Sequence, residues 1–427
     1  MPSKFKCVRC GREYEPGSVF RCECGGLLEV VHEPIKWDRH IVDSRLCPMG
    51  APYSSGVWRY KELIHPGLPA ELIVTRPEGN TNVYHRSAVS EYVGVGRLTM
   101  KHEGENPTGS FKDRGMTVAV SEALRQGAKA VACASTGNTS ASMAAYAAQA
   151  DLKGIVFIPE GEIAYGKLSQ ALAYGSKVIQ VPGSFDDSMR VVQEASKELG
   201  LYLLNSINPW RIEGQKTIIF ELLHQRGWEP PDWIIVPAGN LGNTSAFGKA
   251  LADLVELGWI QKVPRIASIQ AEGAAPFYKM WKGGGEVLES LHPETVATAI
   301  KIGNPVSWEK AIRVIRETEG VVEVVSDAEI MEAKAVVDGS GVGCEPASAA
   351  SVAGARKLVA AGVIKPDEDV VCVLTGNLLK DPDYIYRYHT GQLEAPGGAP
   401  IRSTFGNQPT VVPNDVDRIA AILGAGG

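Results

Sequence analysis

The segment RLTMKHEGENPTGSFKDRGMTVAVSEALR, residues 97–125, decides how this chain is read. Arg97–His102 is strand-like and Met116–Arg125 has helical spacing, so the polar turn between them places Lys112 at a strand-to-helix junction. The same alternation extends outward. Short apolar runs recur at Ala130–Ala134, Gly154–Ile158, Lys177–Val181, Trp233–Val236, Ile266–Gln270 and Val370–Leu374, separated by stretches of helical spacing. Strands that alternate with helices predict an α/β fold, with parallel sheet flanked by helices.

With 427 residues, 44% of them hydrophobic and 22% charged, the chain is long enough for a large core divided between two lobes. Its 46 glycines gather at junctions such as GNLGN (239–243) and GSGVG (339–343), which points to tight turns near ligands rather than to low complexity. A formal charge of −6 argues against nucleic acid, whose phosphates call for a local excess of Lys and Arg. Neither an apolar leader nor a bilayer-length apolar run is present, so the expected location is the cytoplasm, away from membranes.

Four strand ends carry the chemistry. Alone, Lys112 reads as a solvated surface charge, but Gly109, Ser110 and Phe111 beside it suit the close approach of a flat ligand. A partly desolvated amine there becomes a Schiff-base nucleophile. After Ala130–Ala134 comes STGNTS (135–140), ahead of the helical stretch Ala141–Ala150. Ser135, Thr136 and Thr139 read equally as helix caps or, with Asn138 and exposed N–H groups, as an anion pocket. The third loop, Gly239, Asn240, Leu241, Gly242 and Asn243, lies between Trp233–Val236 and the helical stretch Ala246–Leu257. Free N–H groups at a helix start suit a phosphate dianion, and the spacing matches neither GxxxxGK[ST] nor GxGxxG. Thr375 ends the fourth strand, on the side where ligands gather in open α/β sheets.

The N-terminus has a separate pattern. Cys7, Cys10, Cys22 and Cys24 fall within the first 24 residues, ahead of the apolar run Leu27–Val31. Two thiolate pairs on tight turns suit a structural zinc ribbon, although the second pair is separated by Glu23 alone. Four thiolates leave no open coordination position for chemistry. Residues 1–33 are therefore expected to form a zinc-ribbon-like segment and 34–78 a connecting arm. The catalytic core is expected at 79–383, and residues 384–427 as a loosely packed extension with a short terminal helix.

An extended set of motifs bears on family. EGNT (78–81), NPTGSFKDRGM (106–116), ACASTGNTSAS (132–142), LNSINPWRIEGQKT (204–217), PAGNLGNTSAF (237–247), TAIKIGNP (298–305), CEPASAA (344–350) and LTGNLLKD (374–381) together resemble the threonine synthases. That group belongs to the pyridoxal-5′-phosphate enzymes of fold type II, which also include tryptophan synthase β-subunits, serine and threonine dehydratases and cysteine synthases. The resemblance implies two open parallel or mixed-sheet lobes of the tryptophan synthase β-like fold, the smaller at about 116–208, and a homodimer. It implies that Lys112 holds the cofactor as an imine, Phe111 packs on the ring and Asn138 bonds the phenolate oxygen. The cofactor phosphate falls to Gly239–Asn243, and the pyridine nitrogen to Thr375. The implied substrate is O-phospho-L-homoserine, contacted by Ser135, Thr136, Thr139, Asn205, Ser206 and Arg211. Threonine synthases often carry histidine after the Thr-Gly pair, where this chain has Asn377. A dehydratase or β-replacement synthase acting on serine, threonine or O-phosphoserine is the alternative.

Overall fold

The computed structural model describes residues 3–33, 37–46, 52–161, 165–183 and 185–423. Parts of the expected connecting arm (34–36 and 47–51) and the end of the tail (424–427) lie outside the described residues.

Strands β1 (Ser3–Cys7), β2 (Glu13–Tyr14) and β3 (Leu28–His32) form a small antiparallel sheet in the order β2-β1-β3. The large sheet begins with β4 (Val83–Tyr84) and β5 (Arg97–His102). The chain then leaves it to build a four-stranded parallel sheet from β6 (Ala130–Ala134), β7 (Lys153–Pro159), β8 (Lys177–Val181) and β9 (Tyr202–Leu203), ordered β8-β7-β6-β9. It returns through β10 (Trp233–Pro237), β11 (Arg265–Ala271), β12 (Val321–Val325) and β13 (Asp369–Leu374), giving the order β12-β11-β10-β13-β5-β4. Every pairing in this sheet is parallel except β4 with β5. The smaller lobe is thus an insertion between two strands of the larger. All residues of β10 are buried, as expected where helices cover both faces of a parallel sheet. Among the described residues, no helix is long and apolar enough to cross a membrane.

Three helices begin earlier than the spacing predicts: Lys112–Arg125, Asn138–Gln149 and Gly242–Glu256. Their first turns are polar or glycine-rich and face a cleft, so no apolar stripe marks them. The tail also departs from expectation. Tyr388, Leu393 and Ile401 are buried against Val296, Met331 and Ala335, so close packing continues to Ile401. The short terminal helix is present at Val416–Ile422.

Small residues bring two functional helices together. A Cβ on Gly115 would lie 2.7 Å from the Arg211 carbonyl oxygen, and one on Gly214 would lie 1.9 Å from that of Arg114. The helices Lys112–Arg125 and Pro209–Gln225 therefore cross in backbone contact. Around the crossing, the buried Arg114 donates to Glu103 (2.6 Å) and Glu221 (2.7 Å), and Lys101 donates to Glu221 (2.6 Å). Burial opposes ionisation of Glu221, yet Arg114 and Lys101 hold it well below the usual carboxylate range. Gly214→Ala is expected to cost about 1–3 kcal/mol or more through overpacking, seen as a lower thermal midpoint.

The ribbon docks on the same helix. Phe5 packs on Trp210 with ring centroids 5.9 Å apart and His32 contacts Glu213 at 2.9 Å, while Phe20 meets Tyr202 of β9 edge-on at 5.7 Å.

Candidate active site

The loop ahead of Lys112 is stitched to the loop after β13. Phe111 N–H donates to the Thr375 carbonyl (3.0 Å), and Asn377 N–H donates to that of Gly109 (2.9 Å). Gly109 has φ +82°, a backbone conformation that favours glycine. Asp113, the next residue along, accepts from Thr108 N–H (2.7 Å), Thr108 Oγ1 (2.6 Å) and Ser142 Oγ (2.6 Å), tying this helix to the one that starts at Asn138. Burial pushes the Asp113 carboxyl up to about 6.

Lys112 opens its helix with Nζ 4.0 Å from the centroid of the Phe111 ring. The side chain keeps some accessible surface toward the cleft, but crowding by the walls desolvates the ammonium. Burial, and then the nearby Arg211 charge, lower its pKa to about 7, with Glu345 opposing them. The neutral, nucleophilic amine is therefore substantially populated near neutral pH. Because the folded value lies below the unfolded one, the unfolded chain binds more protons between about 7 and the ordinary lysine value of 10.5. This group accordingly makes the apoprotein more stable as pH rises through that window. Competitive acetylation of the apoprotein is expected to show Lys112 reactivity rising through about pH 7, well below ordinary surface lysines.

Asn138 donates to both carboxylate oxygens of Glu345, at 3.3 and 3.0 Å, while its own buried Oδ1 has no partner. Glu345 is a site residue that the loop-by-loop sequence argument misses. It directly precedes Pro346 at the start of the helix Pro346–Ala360, where an acid reads as ordinary dipole compensation. Its signal is Gly376, where a Cβ would lie 2.3 Å from Glu345 Oε1. Ser348 is also missed; its hydroxyl lies 3.1 Å from that of Thr375.

The glycine loop turns through Leu241, whose φ is +64°, and a Cβ on Gly239 would lie 3.1 Å from the Ile300 Cα. The first N–H groups of the helix Gly242–Glu256 have no acceptor within it. Both amide atoms of Asn243 are buried without a partner, as are Gln215 Oε1 and Ser110 Oγ. Buried polar atoms left in this state are costly, and a cluster of them fits a polar ligand.

Arg211 completes the group. It is 1% exposed, donates Nη1 to the Leu204 carbonyl at 3.2 Å, and leaves Nε without a partner. No carboxylate pairs with it among the described residues, so it is not a helix-start salt bridge. Burial lowers its pKa to about 10, and it remains a cation at neutral pH.

One cleft is lined by Phe111, Lys112, Asn138, Ser206, Arg211, the loop 239–243 and Thr375, with Glu345 and Gln215. Ser135, Thr136, Thr139 and Asn205 lie outside that lining. Ser135 Oγ accepts from Gly137 N–H at 3.1 Å, closing a local turn. Both polar atoms of Asn205 engage the main chain of Ala134, at 3.0 and 2.9 Å, so its amide is a brace between β6 and the β9 loop.

The profile of the family described as "Pyridoxal-phosphate dependent enzyme" matches residues 74–376, which takes in every strand end of the cleft. The threonine synthase of Methanocaldococcus jannaschii is 46% identical over 385 residues, covering 90% of this chain and 94% of the relative. That of Methanosarcina acetivorans is 48% identical, covering 89% and 93%. The chain belongs to the threonine synthase family of pyridoxal-phosphate dependent enzymes. The crystal structure of threonine synthase from Escherichia coli superposes with a TM-score of 0.68 over 99% of both chains at 18% identity, a likeness of fold. Family membership bears out the expected α/β fold of type II, and the cleft has donors suited to the cofactor. The N–H groups and Asn243 fit its phosphate, and Lys112 its aldehyde.

Proposed function

We propose that this enzyme converts O-phospho-L-homoserine and water into L-threonine and inorganic phosphate. The observation that carries the proposal is Arg211, a buried cation without a carboxylate partner that shares the cleft with Lys112. A phosphate monoester satisfies such a guanidinium.

Lys112, Asn138, the loop 239–243 and Thr375 would hold pyridoxal phosphate, with Phe111 beside its ring. When bound, the cofactor supplies an electron sink for charge developing at the substrate α-carbon. The Lys112 amine, neutral near pH 7, removes the Cα proton and later one from Cβ, acting as the base within reach of both carbons. Thr375, a neutral hydroxyl beside Ser348, cannot stabilise a protonated ring nitrogen as a carboxylate would, which favours elimination. Arg211 and Ser206 hold the phosphate that leaves Cγ; Cγ then takes up a proton to become the methyl group, water adds its hydroxyl at Cβ, Cα regains a proton, and the proton left from water is taken by the released phosphate. Asn138, which donates to Glu345, would turn its amide to the cofactor phenolate. Cytoplasmic homodimers are part of the same proposal, drawn from the family resemblance.

Incubating the protein with cofactor and O-phospho-L-homoserine is expected to release phosphate and threonine in equal amounts. Phosphate accompanied by a 2-oxo acid would instead indicate an elimination-only enzyme, and no phosphate would overturn the substrate assignment.

Zinc in the ribbon is proposed on the cysteine geometry. The four sulfurs lie within 4.8 Å of one another, with the pairs Cys7–Cys24 at 3.4 Å and Cys10–Cys22 at 3.5 Å. Covalent bonds are about 2 Å. Four ligands at about 2.3 Å around a tetrahedral ion would sit about 3.8 Å apart. Tyr14 donates to Cys22 Sγ at 3.0 Å. Cys22→Ser is expected to lose the bound metal, measured as zinc per chain, and to lower the thermal midpoint because metal binding free energy is folding free energy.

A further inference from the structure

We propose that the cavity between the ribbon and the large lobe is a second ligand site, built for a small aliphatic monocarboxylate. It encloses about 650 Å³ and does not include Lys112 or the glycine loop. Val30, Leu63, Ile212, Leu257 and Val314 supply apolar wall, drawn from β3, the arm, the Arg211 helix and the two helices beyond it.

One buried cation on its wall lacks a partner among the described residues. Lys249 is held by Glu213 and the Val30 carbonyl, Lys216 by Glu213 and Asp253, and Arg313 by Glu29. Lys310 also lines the cavity and is 5% exposed, yet its ammonium has no hydrogen bond or ion pair among the described residues. Lys216, Lys249 and Arg313 thus each have a carboxylate partner, whereas Lys310 has none among the described residues. His32 adds no further positive charge, because burial lowers its pKa. Burial likewise lowers the Lys310 pKa, to about 8, with Glu29 opposing it.

One carboxylate would pair with the Lys310 ammonium, and an aliphatic body would cover the apolar residues. Glu62, paired with Arg45, and the exposed Glu33, Glu256 and Glu317 also line the cavity, and the last three would repel a ligand carrying further negative charge. Ile212 lines both this cavity and the catalytic cleft, next to Arg211, so an occupant here touches the wall that the two spaces share.

The test is calorimetric titration of the pyridoxal-phosphate-loaded protein with sodium butanoate, hexanoate and octanoate. Saturable binding at one site is expected, tightening roughly fourfold per added methylene because each buried CH₂ is worth about 0.8 kcal/mol. Lys310→Met should weaken octanoate about tenfold or more, the scale of a lost hydrogen bond to a charged group. Ala252→Trp fills the cavity while leaving Lys310 in place and should abolish binding, which keeps the test decisive if the first variant fails to fold. Cofactor absorbance should not change during the titration. Absence of saturable binding, equal binding by both variants, or displacement of octanoate by inorganic phosphate would each overturn the site. None of these outcomes depends on which reaction the cleft performs.

Discussion

Lys112→Ala is expected to lose at least about 10⁴-fold in turnover, together with the visible absorbance of the bound cofactor. The loss follows from position as much as from chemistry. Lys112 is the first residue of its helix, and its loop is fixed to the β13 loop by paired backbone bonds, so no other amine can take its place. Structure should survive, because alanine is a good helix former and the substitution removes an ammonium that burial already disfavours. The apoprotein of the variant is therefore expected to match or exceed the parent in thermal midpoint, a trade of stability against function that is common at active sites. Lys112→Arg separates charge from proton transfer. It keeps the cation, cannot deprotonate near neutrality, and should be as inactive as the alanine variant. Phosphate release measured in single turnover checks both, and activity retained in either would remove Lys112 from the reaction.

What is legible in the sequence follows physical rules. β10 and β13 run through the middle of the large sheet, so their apolar residues are continuous and easily seen. β4 and β9 have two residues each, too few for any period, and β12 is a half-buried edge strand with Glu323 in its middle. The cleft is partly legible because glycine and amide residues at strand ends have few structural uses. Glu345 is not, since its role comes from a partner 207 residues away, Asn138. Asn205 shows a different pattern: its residue type suits a phosphate contact, and its amide oxygen and one amide N–H engage Ala134, leaving the second N–H as a donor. Family resemblance transfers residue positions, and the hydrogen bonds decide which side chains remain available.

Arg211→Leu is expected to reduce kcat/KM for O-phospho-L-homoserine by about 10²–10³-fold, or about 3–4 kcal/mol, the scale of removing one partner of a buried charge pair, while cofactor absorbance is retained. The retained absorbance matters because the cofactor phosphate is proposed to sit at the glycine loop, whereas Arg211 lines the same cleft from the helix Pro209–Gln225. A second readout distinguishes this role from a merely structural one. Arg211 is among the causes that lower the Lys112 pKa, so removing its charge lets the Lys112 ammonium persist to higher pH. Competitive acetylation of the variant apoprotein should therefore show Lys112 becoming reactive above the parent's pH of about 7. Arg211→Lys keeps the charge but loses the planar fork, so it should leave the Lys112 titration closer to that of the parent while recovering only part of kcat/KM. If Arg211→Leu left both kcat/KM and the Lys112 titration unchanged, the guanidinium would have no part in holding the substrate phosphate, and the buried charge would need another partner.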